Sequence, residues 1–138
     1  MILYLDSSSI VKLYVQETDT AEMKRQAAAA EEVASSRIAY AEVRSALARK
    51  RREGGISQAE YARTVAAFRS EWLHITVQEV TQQVVELAGA FCEAHKLRGM
   101  DAIHLASAKL LADATEAPVR ISSSDPRLRE AATAEGMA

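Results

Sequence analysis

The chain opens with Ile2-Leu3-Tyr4-Leu5-Asp6-Ser7-Ser8-Ser9, and this stretch decides the predicted fold. Residues 2–5 contain no alternation of polar and apolar side chains, which indicates a strand buried on both faces, as in a parallel sheet. Asp6 follows at once, and both it and the three serines are residue types that favour the N-terminus of a helix. The opening therefore predicts a buried strand, an acidic residue at its carboxyl end, and a short helix over 10–15.

Three further strands and six further helices are predicted from the rest of the chain. The strands are placed at 33–35, 73–77 and 119–121. The helices are placed at 18–31, 37–52, 57–72, 80–98, 101–112 and from 125 onward. Gly54-Gly55 is suited to end one of these helices, and Ser57 with Glu60 forms a capping box that begins the next. Strands that alternate with helices predict an α/β protein with a parallel sheet covered on both faces.

Length, charge and glycine pattern exclude several classes of protein. A chain of 138 residues is the size of one domain, so a single domain over 1–138 is predicted. Lys and Arg number 17 against 19 Asp and Glu, which gives a formal net charge of −2. A nucleic-acid site must then be a local patch, because the chain has no overall positive field. No GxGxxG or GxxxxGK[ST] pattern occurs, which excludes the common dinucleotide and P-loop sites.

The cysteine content and the hydropathy pattern bear on location. Cys92 is the single cysteine, which excludes an internal disulfide, a Cys-rich zinc site and a CxxC redox pair, and is typical of a reducing cytosol. No stretch reaches the roughly 20 apolar residues of a membrane span. No basic segment precedes an apolar one at the N-terminus, so no secretory signal is predicted. The expected location is the cytoplasm, with no membrane partner.

Four acidic residues stand in apolar or small-residue surroundings where solvent-facing acids are unexpected: Asp6, Glu42, Asp101 and Asp125. Asp6 and Asp125 each follow a predicted strand, so they should lie at the same edge of the sheet. Asp101 opens the most apolar helix of the chain. Glu42 has no Lys or Arg three or four residues away on its own helix to pair with.

Each acid also has a purely structural explanation. Asp6, Asp101 and Asp125 can serve as N-caps, and Glu42 can pair with a distant arginine. If all four converge, they repel by roughly 1–4 kcal/mol per pair, and a divalent cation removes the conflict. Oxygen ligands favour Mg²⁺ or Mn²⁺ over Zn²⁺, and Mg²⁺ held by carboxylates typically serves phosphate chemistry.

Four segments around these acids resemble motifs of the PIN-domain nucleases, in particular the VapC-like toxins of prokaryotic toxin–antitoxin pairs. They follow one another in the order found in that family and span residues 1 to about 132, with Ser123 where threonine is common. The segments are Leu3-Tyr4-Leu5-Asp6-Ser7-Ser8-Ser9-Ile10-Val11-Lys12-Leu13-Tyr14, Ala41-Glu42-Val43-Arg44-Ser45-Ala46-Leu47, Met100-Asp101-Ala102-Ile103-His104-Leu105-Ala106-Ser107-Ala108 and Ser123-Ser124-Asp125-Pro126-Arg127-Leu128.

The resemblance implies a three-layer α/β/α fold with a short parallel sheet and a metal-dependent endoribonuclease acting as a toxin. It implies that Asp6 and Asp101 are the main ligands of Mg²⁺, with Mn²⁺ as a substitute. Glu42 and Asp125 would complete the catalytic set by holding a second metal or orienting the attacking water. The expected partners are RNA, a cognate antitoxin and a second copy of the chain. A last strand that many relatives carry is expected to be short or absent.

Other side chains of these segments have expected roles around the carboxylates. The resemblance implies that Ser8 and Ser123 orient the acids by hydrogen bonds. Lys12 and Arg44 are candidate phosphate contacts. His104 is interpreted as a buried histidine with satisfied hydrogen bonds, although it stands three residues after Asp101.

Two surface features allow more than one interpretation. The basic cluster at 49–52 is interpreted as a set of cations that stabilise the C-terminus of a helix. The alternative is that the cluster contacts RNA. An apolar stripe is expected in the core, with a dimer face or an antitoxin groove as the alternative. The stripe consists of Tyr61, Val65, Phe68 and Trp72.

Two other functions remain compatible with the sequence. One is a PIN-like nuclease outside toxin biology, in RNA processing or acting on structured DNA. The other is a binding module that keeps the fold without catalysis.

Overall fold

A four-stranded parallel sheet forms the middle layer of the computed structural model, which describes all residues from 1 to 138. Its strands lie in the order β3-β2-β1-β4, so β1 is in the centre between β2 and β4. In register, Leu3 of β1 stands opposite Val33 on one side and Arg120 on the other. The central position explains why β1 is apolar throughout. The strands are β1 (Ile2–Leu5), β2 (Glu32–Ser36), β3 (Thr76–Gln78) and β4 (Val119–Ser122).

Seven helices cover the two faces of this sheet. Side chains of a strand alternate between faces, and β1 shows the division. Leu3 and Leu5 pack against residues of α1 to α4, whereas Ile2 and Tyr4 pack against residues of α5 to α7. The result is a three-layer α/β/α fold, as predicted. The helices are α1 (Ser7–Tyr14), α2 (Thr20–Ala29), α3 (Arg37–Arg52), α4 (Gln58–Trp72), α5 (Gln82–His95), α6 (Gly99–Thr115) and α7 (Pro126–Ala134).

Helix boundaries follow the predicted capping residues most closely around α3 and α4. Ser57 accepts a hydrogen bond from the Glu60 amide at 3.1 Å, and the Glu60 carboxylate accepts one from the Ser57 amide at 3.2 Å. The capping box is therefore confirmed. The apolar stripe of α4 faces the core, where Phe68 and Trp72 are buried; Tyr40 of α3 stacks on Phe68 and meets Trp72 edge to face. None of the seven helices combines the length and the apolar character that crossing a bilayer demands.

The strand predicted at 73–77 is wrong at its beginning. Leu73 is the C-cap residue of α4 and is 80% exposed. The strand runs from Thr76 to Gln78 instead. Backbone bonds from Leu73 to Ser70 and from His74 to Glu71 continue the helical turn past Trp72. The apolar residues alternate over 73–77, and this pattern fits both a strand and a turn that leads into a strand. The pattern therefore could not show where the strand begins.

Two helices begin earlier than predicted, and both differences concern the acids. Asp6 is the N-cap of α1, which starts at Ser7 rather than at residue 10. Arg98 occupies the N-cap position of α6 and makes no side-chain cap bond, so Asp101 lies in the first turn of the helix and is not its cap. The chain forms no strand after α7, and Met137 accepts one backbone hydrogen bond from Ile121 at the free edge of β4.

Candidate active site

The carboxyl ends of β1 and β4 lie side by side, and each leads into a helix with an aspartate at its N-cap. Asp6 caps α1 by accepting from the Ser9 amide at 3.0 Å, and Asp125 caps α7 by accepting from the Arg127 amide at 2.9 Å. The Asp6 amide donates to the Ser122 carbonyl at 3.2 Å, which joins the two strand ends. The capping explanation is therefore correct for both residues, and the same geometry places both at one edge of the sheet.

Asp6 is buried, and protein donors hold both of its carboxylate oxygens. Besides the amide of Ser9, Oδ1 accepts from the Ser8 hydroxyl at 2.7 Å, and Oδ2 accepts from the Ser123 hydroxyl at 2.5 Å. The residue is only 4% exposed. Three hydrogen bonds compensate the cost of burying the charge and fix the direction of the carboxylate.

The serines that contact Asp6 also connect the starts of α1 and α7. The Ser8 hydroxyl accepts from the Ser124 amide at 3.0 Å, and the Ser123 hydroxyl accepts from the Asp125 amide at 3.0 Å. Each hydroxyl thus donates to a carboxylate and accepts from a backbone amide. The two capping loops are cross-linked through the oxygens of Asp6.

Asp101 lies in a different environment, half-buried near Asp6 and Asp125. Burial raises the pKa of the Asp101 carboxyl, and the negative charges of Asp125 and Asp6 raise it further. Of the groups that act on the pKa of Asp101, only His104 lowers it. The negative charges of Asp6 and Asp125 therefore disfavour the ionised form of Asp101. A cavity of about 170 Å³ is lined by Leu97, Arg98, Asp101, Asp125 and Arg127.

Glu42 reaches the site through a buried chain of side chains. Its Oε1 lies 2.7 Å from Nε2 of His104, and Nδ1 of His104 lies 2.8 Å from the hydroxyl of Tyr4. His104 and Tyr4 are 1% and 0% exposed. Because a carboxylate only accepts, Nε2 carries the hydrogen, and in the neutral ring Nδ1 accepts from Tyr4. Burial raises the pKa of Tyr4 well above its ordinary value, which keeps the phenol protonated as this donor.

His104 is thus a buried histidine whose hydrogen bonds are satisfied, as interpreted from the sequence. Glu42 does not pair with a distant arginine, since its partner is a histidine 62 residues later in the chain. Sequence spacing could not reveal this pair because the two residues lie on different helices, α3 and α6.

The carboxylates lie around one edge of the sheet without forming a closed cage. In this structure no three side chains among His, Cys, Asp and Glu come close enough together to form a metal-binding group. Burial and the charges of Asp125 and Asp6 raise the pKa of Asp101, and Glu42 contacts His104 of α6.

The two basic residues proposed as phosphate contacts are engaged elsewhere. Lys12 pairs with Asp19 at 2.5 Å. Arg44 donates to the hydroxyl of Tyr40 at 2.8 Å. Arg44 also lies about 200° around α3 from Glu42, so it faces the α4 side of the helix. The structure therefore offers no support for either as a phosphate contact.

Three other arginines line cavities next to the acids. Arg49 lines an open groove of about 530 Å³ between α1 and α3, together with Glu42 and Ser8. Arg98 and Arg127 line the cavity of Asp101 and Asp125. The sequence contained a signal for each of these arginines. Arg49 follows Glu42 by about two helical turns, and Arg98 and Arg127 each stand within three residues of an acid.

The fold and the site define a three-layer α/β/α protein with an acidic site at the carboxyl ends of its central parallel strands. The family model described as PIN domain matches residues 3–134. The chain belongs to the PIN-domain family.

Curated relatives from Mycobacterium tuberculosis carry the name ribonuclease VapC. VapC46 of strain H37Rv is 37% identical over 136 residues, which cover 99% of this chain and 94% of the relative. VapC45 of strain CDC 1551 is 37% identical over 112 residues, which cover 81% of this chain and 78% of the relative. The fold is similar to the crystal structure of VapC20 from the same species, described as a sarcin-ricin loop cleaving toxin. The TM-score is 0.69 at 18% identity, covering 99% of this chain and 96% of that one.

Proposed function

We propose that this protein is a Mg²⁺-dependent endoribonuclease and the toxin of a toxin–antitoxin pair. One observation carries the proposal: Asp101 lies near Asp6 and Asp125, which are distant in the chain, and burial and then the charges of these two residues raise the pKa of its carboxyl. The curated relatives support the same activity, since they are named as ribonucleases. The proposed partners are an RNA substrate, an antitoxin protein and a second copy of this chain.

The donor set at the sheet edge fits a hard divalent cation. A carboxylate has about four lone-pair sites, and the bonds from Ser8, Ser9 and Ser123 occupy three of those of Asp6. One site remains for a metal. Asp101 carries a charge that its acidic neighbours disfavour, and a cation would relieve this repulsion. We propose that Asp6 and Asp101 hold Mg²⁺, or Mn²⁺ in its place, because both metals take oxygen ligands.

The remaining carboxylates are suited to handle the water and its protons. Bound Mg²⁺ would lower the pKa of a water and offset negative charge on the phosphate. Glu42 uses Oε1 to accept from His104, which leaves Oε2 free to orient the attacking water and accept its proton. Asp125 uses Oδ1 to cap α7, which leaves Oδ2 free.

The proposed reaction is in-line hydrolysis of an RNA phosphodiester. The water oxygen forms the new bond to phosphorus, and the bond from phosphorus to the 3′ oxygen breaks. The leaving oxygen takes up a proton. The products then carry 5′-phosphate and 3′-hydroxyl ends.

The substitution Asp6→Asn tests this proposal. Asparagine keeps an oxygen for the Ser9 amide and is nearly the same size, so the cap of α1 is retained while the charge is lost. We expect cleavage of RNA in Mg²⁺ to be abolished, with an unchanged circular dichroism spectrum. Asp113→Asn is the matched control because Asp113 is exposed near the other end of α6. Cleavage by Asp6→Asn at the wild-type rate would refute the mechanism.

Two further experiments separate the proposed function from the other candidates. Expression of a toxin arrests growth of the host unless the antitoxin is also produced, whereas a nuclease of RNA processing gives no such rescue. Calorimetry with Mg²⁺ and Mn²⁺ at millimolar concentration tests for the metal, and the absence of binding would favour a non-catalytic module.

A further inference from the structure

We propose that single-stranded RNA crosses the acidic cluster along one path, with Arg49 contacting phosphates on one side and Arg98 and Arg127 contacting phosphates on the other. This inference rests on the proposed nuclease function and adds to it the surface that holds the substrate. The path consists of the groove between α1 and α3, the sheet edge with the carboxylates, and the cavity between the starts of α6 and α7.

The first part of the path is the groove between α1 and α3. Its walls carry the hydroxyls of Ser7, Ser8 and Ser45, and Glu42 lies at the end next to the sheet edge. Arg49 lies on the same face of α3 as Glu42, about 10 Å further along the helix axis. Small polar walls with one cation suit a ribose-phosphate backbone, which offers hydroxyl groups and anionic oxygens.

The second part of the path is the cavity at the starts of α6 and α7. Arg98 is the N-cap residue of α6, in the turn before Asp101, and Arg127 follows the capping residue Asp125. Each helix start therefore presents one acid and one arginine to the same cavity. An arginine beside a metal-binding carboxylate is placed to hold a phosphate oxygen that the carboxylates themselves would repel.

Their position in the cavities beside the acids distinguishes Arg49, Arg98 and Arg127 from other unpaired surface arginines such as Arg63. Lys12, Arg25 and Arg37 each lie within 4.0 Å of a carboxylate. Lys109 also pairs with Asp113, whereas Arg49, Arg98 and Arg127 form no ion pair within the protein. All three are exposed. Their guanidinium groups are therefore free to pair with an anion from outside the protein.

The overall charge makes such local cations necessary for binding. With a formal net charge of −2 and several carboxylates at the centre, the protein repels RNA at the site of cleavage. Cations on both sides would overcome this repulsion and keep the phosphodiester over the acids. A one-sided arrangement would hold only one end of the strand.

The first test measures binding without cleavage. The full chain carrying Asp6→Asn is titrated into a fluorescently labelled single-stranded RNA in Mg²⁺ at several salt concentrations. Arg49→Gln, Arg98→Gln and Arg127→Gln are each expected to weaken binding severalfold and to reduce the slope of log K against log salt by about 0.7. Arg63→Gln is the matched control because it removes an exposed arginine of α4 that forms no ion pair, and its slope should equal that of the parent.

The second test uses the otherwise wild-type enzyme and RNAs shortened from either end around one cleavage site. Arg49→Gln should raise KM for the full-length RNA, and this effect should vanish when one end is removed. The effects of Arg98→Gln and Arg127→Gln should vanish when the opposite end is removed. A general loss of folding or of charge would not depend on which end is missing.

The outcomes separate this inference from the proposed function. If the arginine variants bind like the control, or if all three respond to the same end of the RNA, the path is wrong even when the protein cleaves RNA. If wild-type protein cleaves no RNA but the three variants alter the salt slope, the nuclease proposal fails and the binding surface stands.

Discussion

Asp6 and Asp101 are the two carboxylates proposed to hold the metal, and their surroundings are opposite. Asp6 is 4% exposed and accepts three hydrogen bonds from serines and a backbone amide. Asp101 is half-buried, and burial and two like charges raise the pKa of its carboxyl. Hydrogen bonds within the protein thus fix the direction of the Asp6 carboxylate without a cation. Asp101 is left in repulsion that a cation would remove, so metal binding and the ionisation of Asp101 should be coupled.

Glu42 and Asp125 each have one carboxylate oxygen held by the protein and one left open. Glu42 is held at one oxygen by the buried pair of His104 and Tyr4, which belongs to the α6 side of the sheet. Asp125 is held at one oxygen by the cap of α7 and shares the open cavity with Asp101. Each acid keeps at least one lone-pair site unused by the protein. The protein holds one oxygen of Glu42 and one of Asp125 and leaves the other open, whereas it holds both oxygens of Asp6.

Among the changes that separate Asp101 from Asp6, the largest expected effect comes from Asp101→Asn. Loss of a metal ligand should reduce RNA cleavage by on the order of a thousandfold. The same change removes a disfavoured charge, so the metal-free variant should be more stable than wild type, by roughly a few tenths of a kcal/mol because solvent screens charges at a half-exposed group. Cleavage assays and thermal unfolding in EDTA measure the two effects.

A rise in stability together with a loss of activity is the signature that distinguishes Asp101 from Asp6. Asp6→Asn should not stabilise the protein, because Asp6 has donors for its charge. Equal changes in unfolding temperature for the two variants would contradict the difference drawn between the two sites.

A smaller effect is expected from Tyr4→Phe. The hydroxyl that fixes the tautomer of His104 is lost, so Glu42 is held less firmly and cleavage should fall by about tenfold. Tyr14→Phe is the matched control, since its hydroxyl contacts the exposed Glu71 away from the site. In a Glu42→Gln background, Tyr4→Phe should produce no further loss of cleavage, whereas a general defect of packing would lower cleavage in both backgrounds.

The smallest expected effect is a dependence of the free energy of unfolding on pH, compared between wild type and Asp101→Asn. The folded protein raises the pKa of Asp101, so it binds this proton more tightly than the unfolded chain does. The contribution of Asp101 to stability is therefore greatest at low pH and falls as pH rises from the ordinary aspartate range to the raised pKa.

Denaturant unfolding of metal-free protein across this pH range measures the effect. The stability advantage of Asp101→Asn over wild type should grow with rising pH, up to roughly a few tenths of a kcal/mol. Saturating Mg²⁺ should cancel it, because a bound cation favours the ionised form. An advantage independent of pH would show that the charge of Asp101 is not its cause.

Much of the fold was predictable because it depends on local patterns. The apolar run of β1 and the capping box at Ser57 each have one structural solution at short range, and both are present. The beginning of β3 was not predictable, because Leu73 and Ile75 fit a turn as well as a strand. Its position depends on where α4 ends, which packing against α3 decides.

The candidate site divides in the same way. The acids were predictable from their unusual neighbours and from the motifs that resemble PIN-domain nucleases. The partner of Glu42 was not, because His104 meets it only after α3 and α6 pack on either side of β1. Lys12 and Arg44 were chosen by nearness in sequence, and the structure engages both elsewhere.

The sequence by itself determined the parallel α/β architecture and indicated four candidate acids, because strand burial and unusual surroundings depend on neighbouring residues. Only the tertiary structure decided which oxygens remain free, which histidine holds Glu42 and which arginines line the cavities. Hydrogen bonds and like-charge repulsion act over a few ångströms in space. Groups as far apart in the chain as Asp6 and Ser123 therefore acquire their chemistry only when the sheet brings β1 and β4 together.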